Sequence, residues 1–239
     1  PSPDAEYILV SQLKRPFSYS VTAGRFAERI EVWDTEGNVV AQIADFGVRD
    51  DIPIAYGSTY EGPRSIQWRS DRDAQLYWVE ALDGGDAGSE AEFRERIFTL
   101  EEPFDEEPRA VMDLQSRYSG IMWGNDSLAI VSEWWWPTRN YKTWRIWPGD
   151  PDREPQLLID RSWEDRYNDP GSPMTTISSR GKPVLVTSPD GSSVYLEGDG
   201  ASPEGERPFV DRLDLSDLSK ERLFRSQPPF YETPRSFID

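Results

Sequence analysis

Histidine and cysteine are both missing from this 239-residue chain. Without cysteine there is no disulfide and no thiolate nucleophile, although the compartment stays open because exported proteins can also lack the residue. Without histidine these residues can build neither a Ser-His-Asp triad nor a histidine-ligated metal site. Long apolar runs are missing too. No stretch approaches the ~20 residues a membrane helix needs, which argues against a membrane partner. Positive charge is scarce: 26 Lys and Arg stand against 44 Asp and Glu, a formal net charge of -18. Such a field repels phosphate backbones and argues against nucleic acid as a partner. The chain also lacks an initiating Met and opens in a turn-like Pro1-Ser-Pro-Asp4. It reads as a piece of a longer protein, so the want of a targeting segment carries no information.

Aromatic residues are abundant, at 13%, and five of the ten tryptophans fall within Ser132–Trp147, "SEWWWPTRNYKTWRIW". A chain of this length and aromatic content buries a substantial core. Four segments repeat one pattern of a polar turn followed by an apolar strand: Ala5–Val10, Ala74–Val79, Asp126–Val131 and Ser192–Glu197. A third strand follows each after a variable loop (Glu28–Trp33, Glu95–Leu100, Tyr141–Trp147, Phe209–Leu215). A fourth follows each after a tight turn (Val39–Ala44, Arg109–Leu114, Pro155–Ile159, Glu221–Arg225). First strands are expected at Arg64–Arg69, Ser119–Trp123 and Pro183–Thr187. Short strands repeating in units whose second strands start at residues 5, 74, 126 and 192 predict an all-β fold, a partial β-propeller of about four four-stranded blades. The units fall at 1–46 (incomplete), 63–114, 118–163 and 171–227, with the start of a further blade at 228–239. A blade between two others has both faces covered, so its strands read as unbroken apolar runs, as Leu128–Trp136 does. The Trp run is therefore read as a buried wall, with Trp136, nearest the turn, as its exposed member.

The chain resembles the propeller domain of the glutamyl endopeptidase branch of the prolyl oligopeptidase family of serine peptidases. The likeness is carried by Arg15-Pro-Phe-Ser-Tyr19, Gly24-Arg-Phe26, Glu31-Val-Trp-Asp34, Gly62-Pro-Arg-Ser65, Leu76–Asp86, Gly120-Ile-Met-Trp-Gly124, the Trp run, Asp165–Pro173 and Glu197–Leu215. It implies a parent protein in which a propeller caps an α/β-hydrolase domain whose Ser, Asp and His cut peptides after Glu. That hydrolase part is absent here, and no Gly-x-Ser-x-Gly elbow occurs in the chain. The role implied is non-catalytic. It gates peptide substrates on their way to the hydrolase domain of the same parent chain and docks that domain. Two alternatives are a WD40-like interaction scaffold, on the strength of Trp33-Asp34, and a propeller glycoside hydrolase using paired carboxylates.

Long, individual loops concentrate function. By strand order, the loops 13–27, 46–62, 82–94, 137–140, 160–175 and 197–208 leave one end of the sheets, and the face at that end carries Arg15, Arg25, Arg139, Lys142 and Arg166. These five are the candidate substrate-facing residues, since a guanidinium suits a substrate carboxylate. Their other reading is pairing with neighbouring acids or docking of the hydrolase domain. The sequence calls for no cofactor and no metal: Gly149–Glu154 lacks the Gly and distal Glu of a calcium loop. Oligomeric state stays open. The compartment is expected to be a soluble one, cytoplasmic or periplasmic, or a plastid if the source is a plant.

Overall fold

The computed structural model describes residues 1–17 and 19–234. Its strands begin where polar turns hand over to β-branched and aromatic residues. β1 (Tyr7–Leu13), β2 (Glu28–Asp34) and β3 (Val39–Phe46) form a three-stranded sheet. The second sheet is β4 (Arg64–Trp68), β5 (Gln75–Ala81), β6 (Glu95–Glu101) and β7 (Arg109–Leu114). The third is β8 (Arg117–Asn125), β9 (Leu128–Trp135), β10 (Asn140–Ile146) and β11 (Gln156–Ser162). All these pairings are antiparallel and join neighbours in sequence. Single 3-10 turns occur at Ala23–Arg25 and Trp136–Thr138. In each three- or four-stranded sheet, the fourth one included, the pairing of the last strand in chain order slips register by a bulge: at Ile30/Glu31 and Val32/Trp33, at Ile97/Phe98, at Thr143/Trp144 and at Val210/Asp211.

The fourth sheet departs from the pattern. Its strand order is β12 (Ser172–Pro173), β15 (Ser193–Gly198), β18 (Phe209–Asp214) and β19 (Lys220–Arg225). The expected first strand, Pro183–Thr187, does not run along β15. Its residues Pro183–Leu185 (β14) pair with Thr175–Ile177 (β13) in a separate hairpin, and only Thr187 bridges to Val194 of β15. A small hairpin of β16 (Ala201–Ser202) and β17 (Gly205–Glu206) decorates the loop before β18. Of the further blade expected at 228–239, residues 228–234 carry no strand and 235–239 lie outside the described residues.

Three cores lie between successive sheets. Alternate residues of one strand point to opposite faces. Thus Leu76 and Trp78 of β5 pack with Val32 toward the first sheet, while Tyr77 and Val79 pack with Ala129 and Val131 toward the third. Likewise Leu128 and Ile130 of β9 meet Leu185, Val194, Leu196 and Leu213. Five consecutive residues of β5, Gln75–Val79, and four of β9, Leu128–Val131, are buried, as two covered faces require. Each such aliphatic side chain contributes on the order of 1.5–3 kcal/mol by leaving water.

Candidate functional site

The Trp run continues β9 to the end of the third sheet, where Pro137 and the left-handed Arg139 (φ 57°) turn the chain into β10. Its rings pack against one another and against chain arriving from other loops. Trp134 meets Trp136 and Trp163 edge-on, with ring centres 6.4 and 5.9 Å apart. Trp135 lies under the Arg94 guanidinium at 4.0 Å. Trp136 is half-buried, because Tyr56 from the loop between the first two sheets stacks on it at 4.0 Å with the planes 14° apart. The run packs as a wall, but only Trp147 of its five tryptophans is buried: Trp134, Trp135, Trp136 and Trp144 are half-buried, so the buried wall expected from the sequence is partly open to solvent, and Trp136 is no more its exposed member than its neighbours are.

Beneath that loop lies a charged cluster. Arg117, 4% exposed, donates from Nη1 and Nη2 to the Asp83 carboxylate (3.0 and 2.8 Å), from Nη1 to Glu95 (3.3 Å) and from Nε to the Gly57 carbonyl (2.6 Å). Arg94 also donates to Asp83, at 2.9 Å, and Arg64 pairs with Glu95. The backbone N–H of Tyr118 donates to Glu95 at 2.6 Å. Burial pushes the Glu95 carboxyl above its ordinary range, against the pull of Arg64, the Tyr118 N–H and Arg117. The cluster joins the second sheet, the third sheet and the loop in one network. Gly85 completes it: the Thr59 N–H donates to its carbonyl at 2.9 Å, and a Cβ there would run into the Thr59 carbonyl. A second buried guanidinium, Arg49, lies between Phe46 and Tyr60 (4.8 and 4.3 Å to the ring centres) and donates to the Gly24 carbonyl at 2.8 Å.

The loops 13–27, 46–62, 82–94, 136–139, 160–172 and 198–208 thus meet along one end of the sheets. Arg25 donates to the Ile52 carbonyl at 3.0 Å. Arg139 donates to Glu164 at 3.1 Å and covers Trp136 at 4.1 Å. Lys142, on the β10 face that carries Trp144, donates to Gln115 at 2.8 Å. Arg166 reaches Glu206 at 3.6 Å and is 67% exposed in its side chain, lining a cavity of about 640 Å³ with Asp169, Glu197, Asp199 and Phe209. The Arg15 guanidinium is 5.8 Å from the Phe17 ring centre. Arg139 and Arg166 sit on adjoining loops but engage different acids, and Lys142 engages a third partner. Asp83, Glu95 and Arg117 are not among the residues expected from the sequence to form the site. The signal that marks Glu95 in β6 and Arg117 in β8 is a charged residue where strand periodicity demands an apolar one, while Asp83 lies in the loop after β5 and carries no such mark.

A relative from Oryza sativa subsp. japonica, "Probable glutamyl endopeptidase, chloroplastic", is 42% identical over 239 residues, 98% of this chain and 26% of that protein. One of the same description from Arabidopsis thaliana is 43% identical over 240 residues, 98% of this chain and 25% of that protein. This chain resembles the glutamyl endopeptidases. The glutamyl endopeptidase likeness runs through nearly all of the chain, which spans about a quarter of the length of these curated relatives. No family model matches. Among solved structures, an oligogalacturonate lyase in complex with manganese is 15% identical with a TM-score of 0.41, covering 84% of this chain and 43% of that one. The oligogalacturonate lyase from Vibrio parahaemolyticus is 14% identical with a TM-score of 0.46, covering 92% and 51%. No helix among the described residues is long and apolar enough to cross a membrane.

Proposed function

We propose that this chain is a partial β-propeller of about four blades, the first one incomplete, which gates and docks the catalytic part of a serine endopeptidase that cuts peptides after Glu. The observation that carries the reading is the likeness at 42–43% identity over 98% of the chain to proteins named glutamyl endopeptidases. It is supported by the chain's own chemistry, since no nucleophile–histidine pair can be drawn from a sequence without histidine. The end of the sheets that carries the long loops faces the hydrolase domain in this reading. It displays Phe17 (55% exposed), Ile54 (98%) and Tyr56 (66%) beside the cations, which is the mixture of apolar anchors and charge found at docking surfaces. The names of the relatives favour a plastid location for a plant parent.

The scaffold alternative rests on Trp33-Asp34, and both residues make local hydrogen bonds. Asp34 accepts from the N–H groups of Glu36 and Asn38 (3.0 and 2.8 Å) and so shapes the β2–β3 turn, while the Trp33 indole donates to Glu31 at 2.9 Å.

The test has two parts. The isolated chain, assayed on Glu-containing peptides, is expected to show no saturable cleavage; cleavage sensitive to a serine reagent would end the reading. In the full-length parent, Arg166→Ala is expected to lower kcat/KM for Glu substrates about 10- to 150-fold, the effect of one charge-assisted contact worth ~1.5–3 kcal/mol, and to spare isosteric Gln substrates. Equal losses for Glu and Gln would assign Arg166 to docking, and no loss would leave it a partner of Glu206.

A further inference from the structure

The inner edge of β15 is shared by two pieces of chain. Ser172 and Pro173 pair with Glu197 and Leu196, the Met174 N–H donates to the Tyr195 carbonyl at 2.8 Å, and Thr187 bridges to Val194. A continuous strand would satisfy that edge. Instead, residues 175–186 leave it as the β13–β14 hairpin, closed at its base by the Val186 N–H on the Met174 carbonyl at 3.0 Å. The tip turns through Gly181 (φ 71°), whose N–H donates to the Ser178 carbonyl at 2.9 Å.

The two ends of the hairpin are held very differently. At the base, Leu185 is 6% exposed and belongs to the core between the third and fourth sheets. At the tip, Arg180 crosses to the turn before β5 in the second sheet and donates from Nε to Asp73 at 2.6 Å, 107 residues away. Both partners are exposed, at 40% and 64% of their side chains. The residues of β13 are all exposed, Ile177 at 68%. Between tip and base the hairpin walls a cavity of about 400 Å³, whose other walls include Ile66, Trp68, Ile121 and Trp123 from β4 and β8. Apolar surface is thus kept under a strap whose free end is held by two solvent-exposed contacts: the Arg180–Asp73 ion pair, an interaction worth ~0–1 kcal/mol and screened by salt, and a long hydrogen bond from Lys182 Nζ to the Pro1 carbonyl at 3.4 Å.

We propose that residues 175–186 form a strap, latched across the inner cavity by Arg180 and Asp73, that lifts about its base at Met174 and Leu185 to uncover the aromatic wall of β4 and β8. The strap belongs to this chain alone, so its test needs no substrate and stands apart from the peptidase reading.

Because the chain has no native cysteine, the pair Asp73→Cys/Arg180→Cys can be joined as a single disulfide. Amide hydrogen exchange is read by mass spectrometry at residues 175–186, with β15 as the internal reference. Asp73→Asn is expected to speed exchange at the strap by up to about fivefold, the range an exposed ion pair allows, and to leave β15 unchanged. The cross-linked variant is expected to slow it and to lower the quenching of tryptophan emission by acrylamide, with both effects reversed on reduction. Strap exchange that is the same in wild type, Asp73→Asn and the cross-linked form would overturn the proposal. So would a rise spread equally over the strap and β15, which would mean that the substitution had loosened the whole fourth sheet.

Discussion

Arg117 and Arg139 carry the same charge and are worth very different amounts. Arg117 is buried with both of its carboxylate partners, each fully buried in its side chain. Arg117→Ala leaves Asp83 and Glu95 short of a counter-charge and strips the Gly57 carbonyl of its donor, and the expected cost is about 3–5 kcal/mol, read from the urea midpoint. Arg139→Ala removes a pair with an exposed Glu164 and a ring contact with Trp136, and the expected cost is about 0–1 kcal/mol. A smaller effect for Arg117 than for Arg139 would reject this ordering. Titration offers a second residue-scale test. Asp190 is held down to about 2, first by the Ser188 hydroxyl and then by the N–H and hydroxyl of Ser192. A depressed carboxyl contributes stability above its ordinary pKa of 3.8 and loses that contribution as pH falls toward 2. Asp190→Ala is therefore expected to flatten the fall of Tm between pH 4 and 2. Glu95, raised by burial, runs the other way: its contribution is present below the ordinary Glu value and is lost as pH rises through the folded one. An unchanged slope in Asp190→Ala would remove Asp190 from the acid transition.

At the scale of elements, the 46–62 loop is the piece that ties non-neighbouring sheets together. Its Tyr56 ring covers Trp136, and the Gly57 carbonyl takes the Arg117 donor. Tyr56→Ala is expected to expose the Trp136 face, with a red-shifted tryptophan emission and faster exchange confined to residues 50–60. No spectral change would show that the stack is incidental. Little of this was legible in the sequence, because the partners lie far apart along it: 60 residues separate Arg117 from Gly57 and 22 separate it from Glu95. The strands themselves were legible, since a polar turn followed by an apolar run is a local signal. That same locality misplaced Pro183–Thr187. The composition of Pro183–Leu185 suits a strand in a hairpin as well as one in the fourth sheet, and the choice rests on what occupies the β15 edge, where Ser172 and Pro173 already pair. For the candidate cations, the residue types and their loops could be read directly, but their engagement with Glu164, Gln115 and Glu206 depends on side-chain reach that spacing does not encode.

At the scale of the whole molecule, the first sheet (β1, β2 and β3) and the last (β12, β15, β18 and β19) each expose apolar side chains that no other sheet among the described residues covers. On the first sheet and its turn, Ile8 is 45% exposed, Val39 54% and Val40 40%; on the last, Leu223 is 45% exposed. Apolar surface of this kind associates, and the net charge of -18 opposes it. The chain is expected to self-associate in a concentration-dependent way that strengthens with salt, as followed by sedimentation velocity, and Ile8→Lys is expected to weaken the association. A monomer at all salt concentrations would contradict this. The bulges recurring at the last strand of the three- and four-stranded sheets bear on what form the association takes. A slipped register twists the outer rim and leaves it a poor template for another strand. Copies of this chain can therefore stack broadside more readily than they extend one another's hydrogen-bond ladders through these slipped strands, so the assemblies should stop at small, countable sizes and stay dark to amyloid dyes rather than grow into fibres.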